Sequence, residues 1–366
     1  HSASVRGDVF YARAHNHDSA REAALFSNNV PASVYDTLIA SVREATPVFG
    51  RYLDLRRRLL GIEDLAAYDL LVPLSPEPEA RYDYRAGVDE VLGGLSLLGA
   101  DYVEKLRDGF DKRWVDVHET RGKRSGAYSS GAYGAPPVIL MNWNGTMNDV
   151  FTLAHEAGHA MHSLLADESL PFHEAGYPIF LAEIASTVNE VLLTWSLLAA
   201  LPEDDAVGRF SILDRFAEAF YGTVVRQTMF AEYEQRVHAL AEAGEPLTLD
   251  RLNEIYGNLY GDYSPGVQID EGVRMNWGRI PHFYRAFYVY QYATGLSAAI
   301  ALASAIRDKG EPARERYLTL LASGGKDYPL NLLKEAGVDL ATPDPIESAL
   351  AEFERVVSEM ERIVDG

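Results

Sequence analysis

His155-Glu156-Ala157-Gly158-His159 sets two imidazoles four residues apart, the spacing that places both on one face of a helix. Two such histidines can hold Zn²⁺, and the glutamate between them can take a proton from water on that ion. The chemistry spelled here is metal-assisted hydrolysis. A hydrolytic zinc keeps three protein ligands and one open position, so a third ligand is needed. The chain contains no cysteine, which leaves His, Asp or Glu. Glu183 is the first candidate: with Ser186, Thr187 and Glu190 it forms a polar face on an otherwise apolar helical segment. Burying acids on such a face needs a reason. A bound cation supplies it for Glu183, and a hydrogen bond to a ligand histidine supplies it for Glu190. His162 is the rival third ligand, three residues past His159. Seven residues from His155, it lies far along a straight helix at about 1.5 Å of rise per residue. A hydrogen-bonded histidine in the core, or one supporting the ligands, is its alternative role.

These residues require a helix under them. Val150, Leu153, Ala154, Ala157, Met161, Leu164 and Leu165 recur at helical spacing, with Asn148 or Asp149 available as a cap. Upstream, residues 19–68 predict packed helices, Pro73, Pro76 and Pro78 a linker, and residues 86–110 a further helical run. Residues 114–118 and 137–143 read as strands around a glycine-rich turn at 122–134. Helical periodicity returns over 179–201 and 205–243. The segment 257–278, rich in Gly, Tyr and Asn, reads as a long loop, followed by helices over 282–306 and 345–364. The expectation is a mainly α protein with a small β-sheet beside the motif helix. It is organised as a helical segment 1–110, a sheet region 111–146 and metal-site and cleft helices 147–366, and no fixed-period repeat runs through it.

The glycine-rich stretch 126–134 lacks the Gly-Lys-Ser/Thr ending of a phosphate loop. It suits instead an edge strand that pairs with an extended peptide, where glycine permits close backbone approach, and Gly131, Tyr133 and Gly134 are the candidate peptide contacts. His15 and His17 read as solvated surface. The formal net charge of −21, with lysine confined to positions 105, 112, 123, 309, 326 and 334, argues against nucleic acid as a partner. Apolar runs such as 191–201 are too short to span a bilayer, and the first residues lack a secretory signature. The expectation is a soluble, cytoplasmic protein without a membrane partner; oligomeric state has no signature in the sequence.

Several separated blocks carry a resemblance. They are Gly126-Ala127-Tyr128-Ser129-Ser130-Gly131, Met141-Asn142-Trp143, Phe151 to His159, Ala182 to Thr187, Arg279 to Tyr284 and Phe287 to Gly295. In this order, with Ser27 to Pro73 before them, they closely resemble oligoendopeptidase F, of the thimet-type zinc oligopeptidases. The resemblance runs over nearly the whole chain. It implies a large helical zinc-peptidase catalytic domain, one Zn²⁺ per chain held by His155, His159 and Glu183, and Glu156 as general base. The implied activity is endopeptidase cleavage of short peptides. A histidine and tyrosines after a glycine-rich loop supply oxyanion donors in related peptidases, which points to His282 and Tyr292, with Tyr288 next. Tyr284, Tyr288 and Tyr292 are expected to form one helical stripe, with Tyr284 as a substrate contact and Tyr290 facing elsewhere. Two other readings stand beside this one: a zinc carboxypeptidase on a similar scaffold, and a catalytically weak peptide-binding fragment. The second arises because the first recognisable segment resembles the middle of family members, so that the family's N-terminal helical region is expected to be missing.

Overall fold

The computed structural model describes residues 1–75 and 81–366. Pro76 and Pro78, expected in a linker, lie outside the described residues. The chain divides into two compact units, one formed by His1–Pro76, Leu213–Thr294 and Leu340–Gly366, the other by Glu77–Ile212 and Gly295–Asp339.

The second unit is built on the motif helix Met147–Ser169 and the helix Ile179–Ala200. Thr146, rather than Asn148 or Asp149, caps the motif helix. Its hydroxyl accepts the Asp149 N–H (3.2 Å), and the Asp149 carboxylate accepts the Thr146 N–H (2.9 Å). This reciprocal pair satisfies two backbone donors that a helix start leaves unpaired. Val150, Leu153, Ala154, Ala157 and Met161 are fully buried, as the periodicity requires. The two helices touch at Gly158, where a Cβ would stand 2.5 Å from the Ser186 Cα and 2.6 Å from the Ala185 carbonyl oxygen. Only glycine permits that approach. Across the same contact, the buried Asn189 amide donates to the Ala154 carbonyl (3.0 Å).

Beside the motif helix lies a three-stranded sheet. Val138–Leu140 is central, parallel to Val115–Asp116 and antiparallel to Tyr128–Ser130, so Tyr128–Ser130 occupies an outer position. The helical run expected over 86–110 is two helices, Tyr84–Gly94 and Ala100–Asp111, separated by a 3₁₀ turn and by Gly99 at φ +90°.

The first unit packs the helices Ala32–Glu44, Thr46–Leu60, Arg226–Glu242 and Asp344–Asp365 around an aromatic core in which Phe220 stacks on Phe353 at 4.6 Å. The expected loop at 257–278 is not one. Helix Leu249–Tyr263 runs through Gly257 and Gly261, Val267–Gln268 pairs with Leu65–Ala66, and Glu271–Met275 is again helical. Leu252, Tyr256, Leu259, Tyr260 and Tyr263 are buried at helical spacing. Their burial outweighs a glycine cost of about 1 kcal/mol each. Residues 282–306 are not one helix either. A 3₁₀ turn at Pro281–Tyr284 gives way to irregular chain, and helix resumes at Tyr290–Lys309. No helix among the described residues is long and apolar enough to cross a membrane.

Candidate metal centre

The motif and the Gly158 crossing bring three ligand atoms together. His155 Nε2 lies 3.2 Å from His159 Nε2, and the Glu183 carboxylate lies 3.5 Å from the first and 3.7 Å from the second. Metal–ligand bonds of about 2.0–2.2 Å at tetrahedral angles separate ligand atoms by roughly 3.3–3.6 Å, which is the size of this triangle. Among the described residues, this is the cluster able to hold a metal ion.

The protons fit a cation as well. His155 Nδ1 bonds the Glu190 carboxylate at 2.7 Å, and the His159 ring is hydrogen-bonded to the Ala182 backbone. With a proton engaged on the far side of each ring, the two Nε2 atoms present lone pairs to each other and to a carboxylate. That arrangement repels itself unless a positive charge sits among the three. Burial, together with the neighbouring His155, lowers the His159 pKa to about 4, so a neutral imidazole, the form that ligates metal, persists there at neutral pH. Burial alone would lower His155 too, but its hydrogen bond to Glu190 and the surrounding carboxylates raise it.

Glu156 is 6% exposed. Burial raises its pKa, opposed by His155 and by the Ser129 backbone N–H, which donates to the carboxylate. Ser129 belongs to one of the two outer strands, so the carboxylate is tied to a strand whose far edge carries no partner among the sheet strands described. Sequence reading did not single out Ser129, Asn189 or the role of Gly158. The glycine inside the motif was the one available signal, since a glycine costs a mid-helix position about 1 kcal/mol unless a close contact requires it.

His162 lies in the core, but without the hydrogen bond expected of it. It is fully buried and stacks on Tyr177 at 3.6 Å, with neither ring nitrogen hydrogen-bonded. Burial lowers its pKa to about 3, so it stays neutral and behaves as an aromatic of the core. One straight helix cannot turn it toward the ligand group.

In the first unit, His282, Tyr288 and Tyr292 gather without the expected helical stripe. His282 stacks parallel to Tyr288 (6.2 Å), Tyr292 meets both rings edge-on, and the Tyr292 hydroxyl lies 3.4 Å from His282 Nε2. The turn between them makes this possible. Phe287 takes φ +55°, and its N–H is accepted by the buried Glu234 carboxylate at 3.0 Å; burial raises the pKa of that carboxyl well above its usual range. Tyr290 faces away into the core against Tyr35, as expected, whereas Tyr284 is 63% exposed and meets the His1 ring. Gly131 and Tyr133 line a groove of the second unit; Gly134 is a left-handed turn residue at φ +75° and is absent from that lining.

Residues 3–352 match the model of peptidase family M3. The chain belongs to peptidase family M3. Among M3 relatives it is 46% identical to oligopeptidase PepF of Bacillus subtilis, over 99% of this chain and 54% of that protein. It is 43% identical to the chromosomal oligoendopeptidase F of Lactococcus lactis subsp. cremoris, over 99% of this chain and 60% of that one. The structure of oligoendopeptidase-F from Enterococcus faecium superposes with a TM-score of 0.80 at 37% identity, covering 99% of this chain and 58% of that one. The helical fold with small sheets is therefore the M3 fold, and the chain spans a little over half the length of these relatives.

Gly158→Ala tests the helix contact inside the His155–His159 motif. The added methyl would press on the backbone of Ala185 and Ser186 in the facing helix, so overpacking is expected to cost about 1–3 kcal/mol and to move Glu183 away from the histidines. A denaturant midpoint and a zinc titration, measured on the same preparation, should both fall. An unchanged affinity for zinc would mean that Glu183 reaches the histidines independently of this crossing.

Proposed function

We propose that this chain carries the catalytic centre of a zinc-dependent endopeptidase acting on short peptides. The carrying observation is the triangle of three ligand atoms 3.2–3.7 Å apart with the buried Glu156 on the same helix as the two histidines. The names of the relatives, oligopeptidase and oligoendopeptidase, support the substrate class.

In this reading His155, His159 and Glu183 hold one Zn²⁺ per chain. The ion supplies a Lewis acid that brings the pKa of water toward about 7 and polarises a carbonyl. Glu190 keeps the His155 ring in the tautomer that offers Nε2. Glu156 takes a proton from water and returns it to the departing amine. Burial, by raising the Glu156 pKa, makes it a stronger base than a free carboxylate. The outer edge of Tyr128–Ser130 offers backbone groups to an extended peptide, with Gly131, Tyr133 and Gly134 following, and Tyr284 is retained as a substrate contact from the resemblance alone. The oxyanion donors proposed are His282 and Tyr292, with Tyr288 beside them; the hydrogen-bond contact between His282 and Tyr292 favours this pair. A cytoplasmic setting belongs to the same reading, in which a chain without cysteine forgoes nothing.

A quenched-fluorescent peptide blocked at both ends tests the proposal. Cleavage is expected, with loss on chelation and recovery on adding Zn²⁺. Turnover that survives removal of all metal would sink the zinc reading. Cleavage confined to peptides with a free C-terminus would replace endopeptidase by carboxypeptidase action.

A further inference from the structure

Two turns beyond His159, the motif helix carries a further acid, Asp167, outside the ligand triangle. Asp167 is part-exposed, and no cation pairs with it among the described residues. It lines a groove of about 340 Å³ together with Gly131, Tyr133, Ser163, Phe172 and Tyr177. The walls are aromatic and held in place. The Tyr133 hydroxyl donates to the Leu170 carbonyl (2.9 Å), and its ring meets Phe172 edge-on at 5.5 Å. Tyr177 pairs with the Ser163 hydroxyl (2.8 Å) and lies flat on His162. The segment carrying Phe172 and Tyr177, which includes the short helix Phe172–Ala175, is pinned from behind, since the Gly325 N–H donates to the Glu174 carbonyl at 2.8 Å and a Cβ on Gly325 would stand 2.2 Å from the Gly176 oxygen. Even so, Phe172 is 74% and Tyr133 44% exposed. A fixed aromatic cleft with an unpaired carboxylate is complementary to a cation on a long apolar stem. A planar guanidinium can pair with the carboxylate while lying on a ring.

The groove is continuous with the strand proposed to hold the substrate. Ser129 donates to Glu156, and the chain continues through Gly131 and Tyr133 to the groove beside Ser163 and Asp167. Strand and helix therefore advance in the same direction from the metal ligands. A peptide pairing antiparallel to Tyr128–Ser130 runs the opposite way, so its N-terminal half passes the groove. From His159 to Ser163 is about 6 Å along the helix and to Asp167 about 12 Å, which at about 3.4 Å per extended residue is two or three residues of peptide.

We infer that Asp167, with Tyr133, Phe172 and Tyr177, forms a subsite that selects a basic side chain, arginine above lysine, two or three residues N-terminal to the cleaved bond. The inference rests on the peptidase reading and assigns a specificity to it.

The test uses blocked quenched-fluorescent peptides identical except for arginine or norleucine, scanned through three positions on each side of the cleaved bond. At the second or third N-terminal position, arginine is expected to raise kcat/KM about tenfold, the scale of a partly screened ion pair added to a ring contact. In Asp167→Asn the arginine-to-norleucine ratio should fall to near one, and Phe172→Ala should lower it severalfold. Fluorescence anisotropy of the same peptides, labelled, on Glu156→Gln protein should show the same ratio in Kd. Equal use of both side chains, a preference for norleucine, or an arginine preference on the C-terminal side overturns the inference and leaves the peptidase reading intact. Peptides that bind with the Asp167-dependent ratio but are never cut by the wild-type protein would support the subsite and reject the peptidase reading.

Discussion

Glu156→Gln is expected to keep the fold and the full complement of zinc while lowering kcat by about 10²–10⁴, the contribution of a positioned general base. The exchange preserves shape and leaves an acceptor for the Ser129 N–H, but the amide cannot take up a proton at neutral pH. Because burial already raises the Glu156 pKa, the wild-type acid limb should lie above that of a free carboxylate: activity is lost as pH falls through the raised value. The variant's residual activity should lack that limb. Zinc analysis, circular dichroism and a pH series of kcat/KM on both proteins decide it. Turnover near wild type with zinc bound would mean that another group activates the water.

The second large effect is expected at Glu183. Glu183→Ala leaves two imidazoles without a third donor, and elemental analysis should show the metal largely gone, with activity falling by more than about 10²-fold. That exceeds the 10- to 100-fold typical of a residue that only orients a ligand, which is the range expected for Glu190→Ala through its bond to His155. His162→Ala should leave zinc content unchanged, since His162 stacks on Tyr177 and is not one of the clustered ligand residues. Its cost should appear in the denaturant midpoint instead, as the cavity left by a buried ring. Full zinc occupancy in Glu183→Ala, together with depletion in His162→Ala, would reverse the assignment.

These two glutamates, Glu156 and Glu183, differ in how legible they were. Glu156 sits inside a five-residue motif on one helix, and helical spacing is a local property, so its place beside the histidines follows from the chain alone. Glu183 could be placed on a helix face, but its competition with His162 turned on how a second helix crosses the first. The crossing is set by Gly158 against Ser186, a contact between residues 28 apart. The loop expected at 257–278 failed for a related reason. Glycine and asparagine are local signals of irregular chain, and they were overridden by tyrosines that the helix Leu249–Tyr263 buries in the core.

The tyrosines after His282 show the same division. Reading them as a helical stripe assumed an unbroken helix, which the left-handed Phe287 interrupts. The resulting turn, and not helical periodicity, brings Tyr288 and Tyr292 onto His282, and the buried Glu234 that holds it lies some fifty residues upstream. The amino-acid sequence by itself determined the mainly helical class, the motif helix, the face of the next helix and the family resemblance, because periodicity and motif spacing are encoded in neighbouring residues. Tertiary structure alone decided how closely Glu183 approaches the two histidines, which backbone N–H touches Glu156 and how Tyr288 and Tyr292 are brought to His282. Each of those depends on the packing of segments far apart in the chain, where a contact of a few ångströms is settled by the volumes and hydrogen bonds of both partners at once.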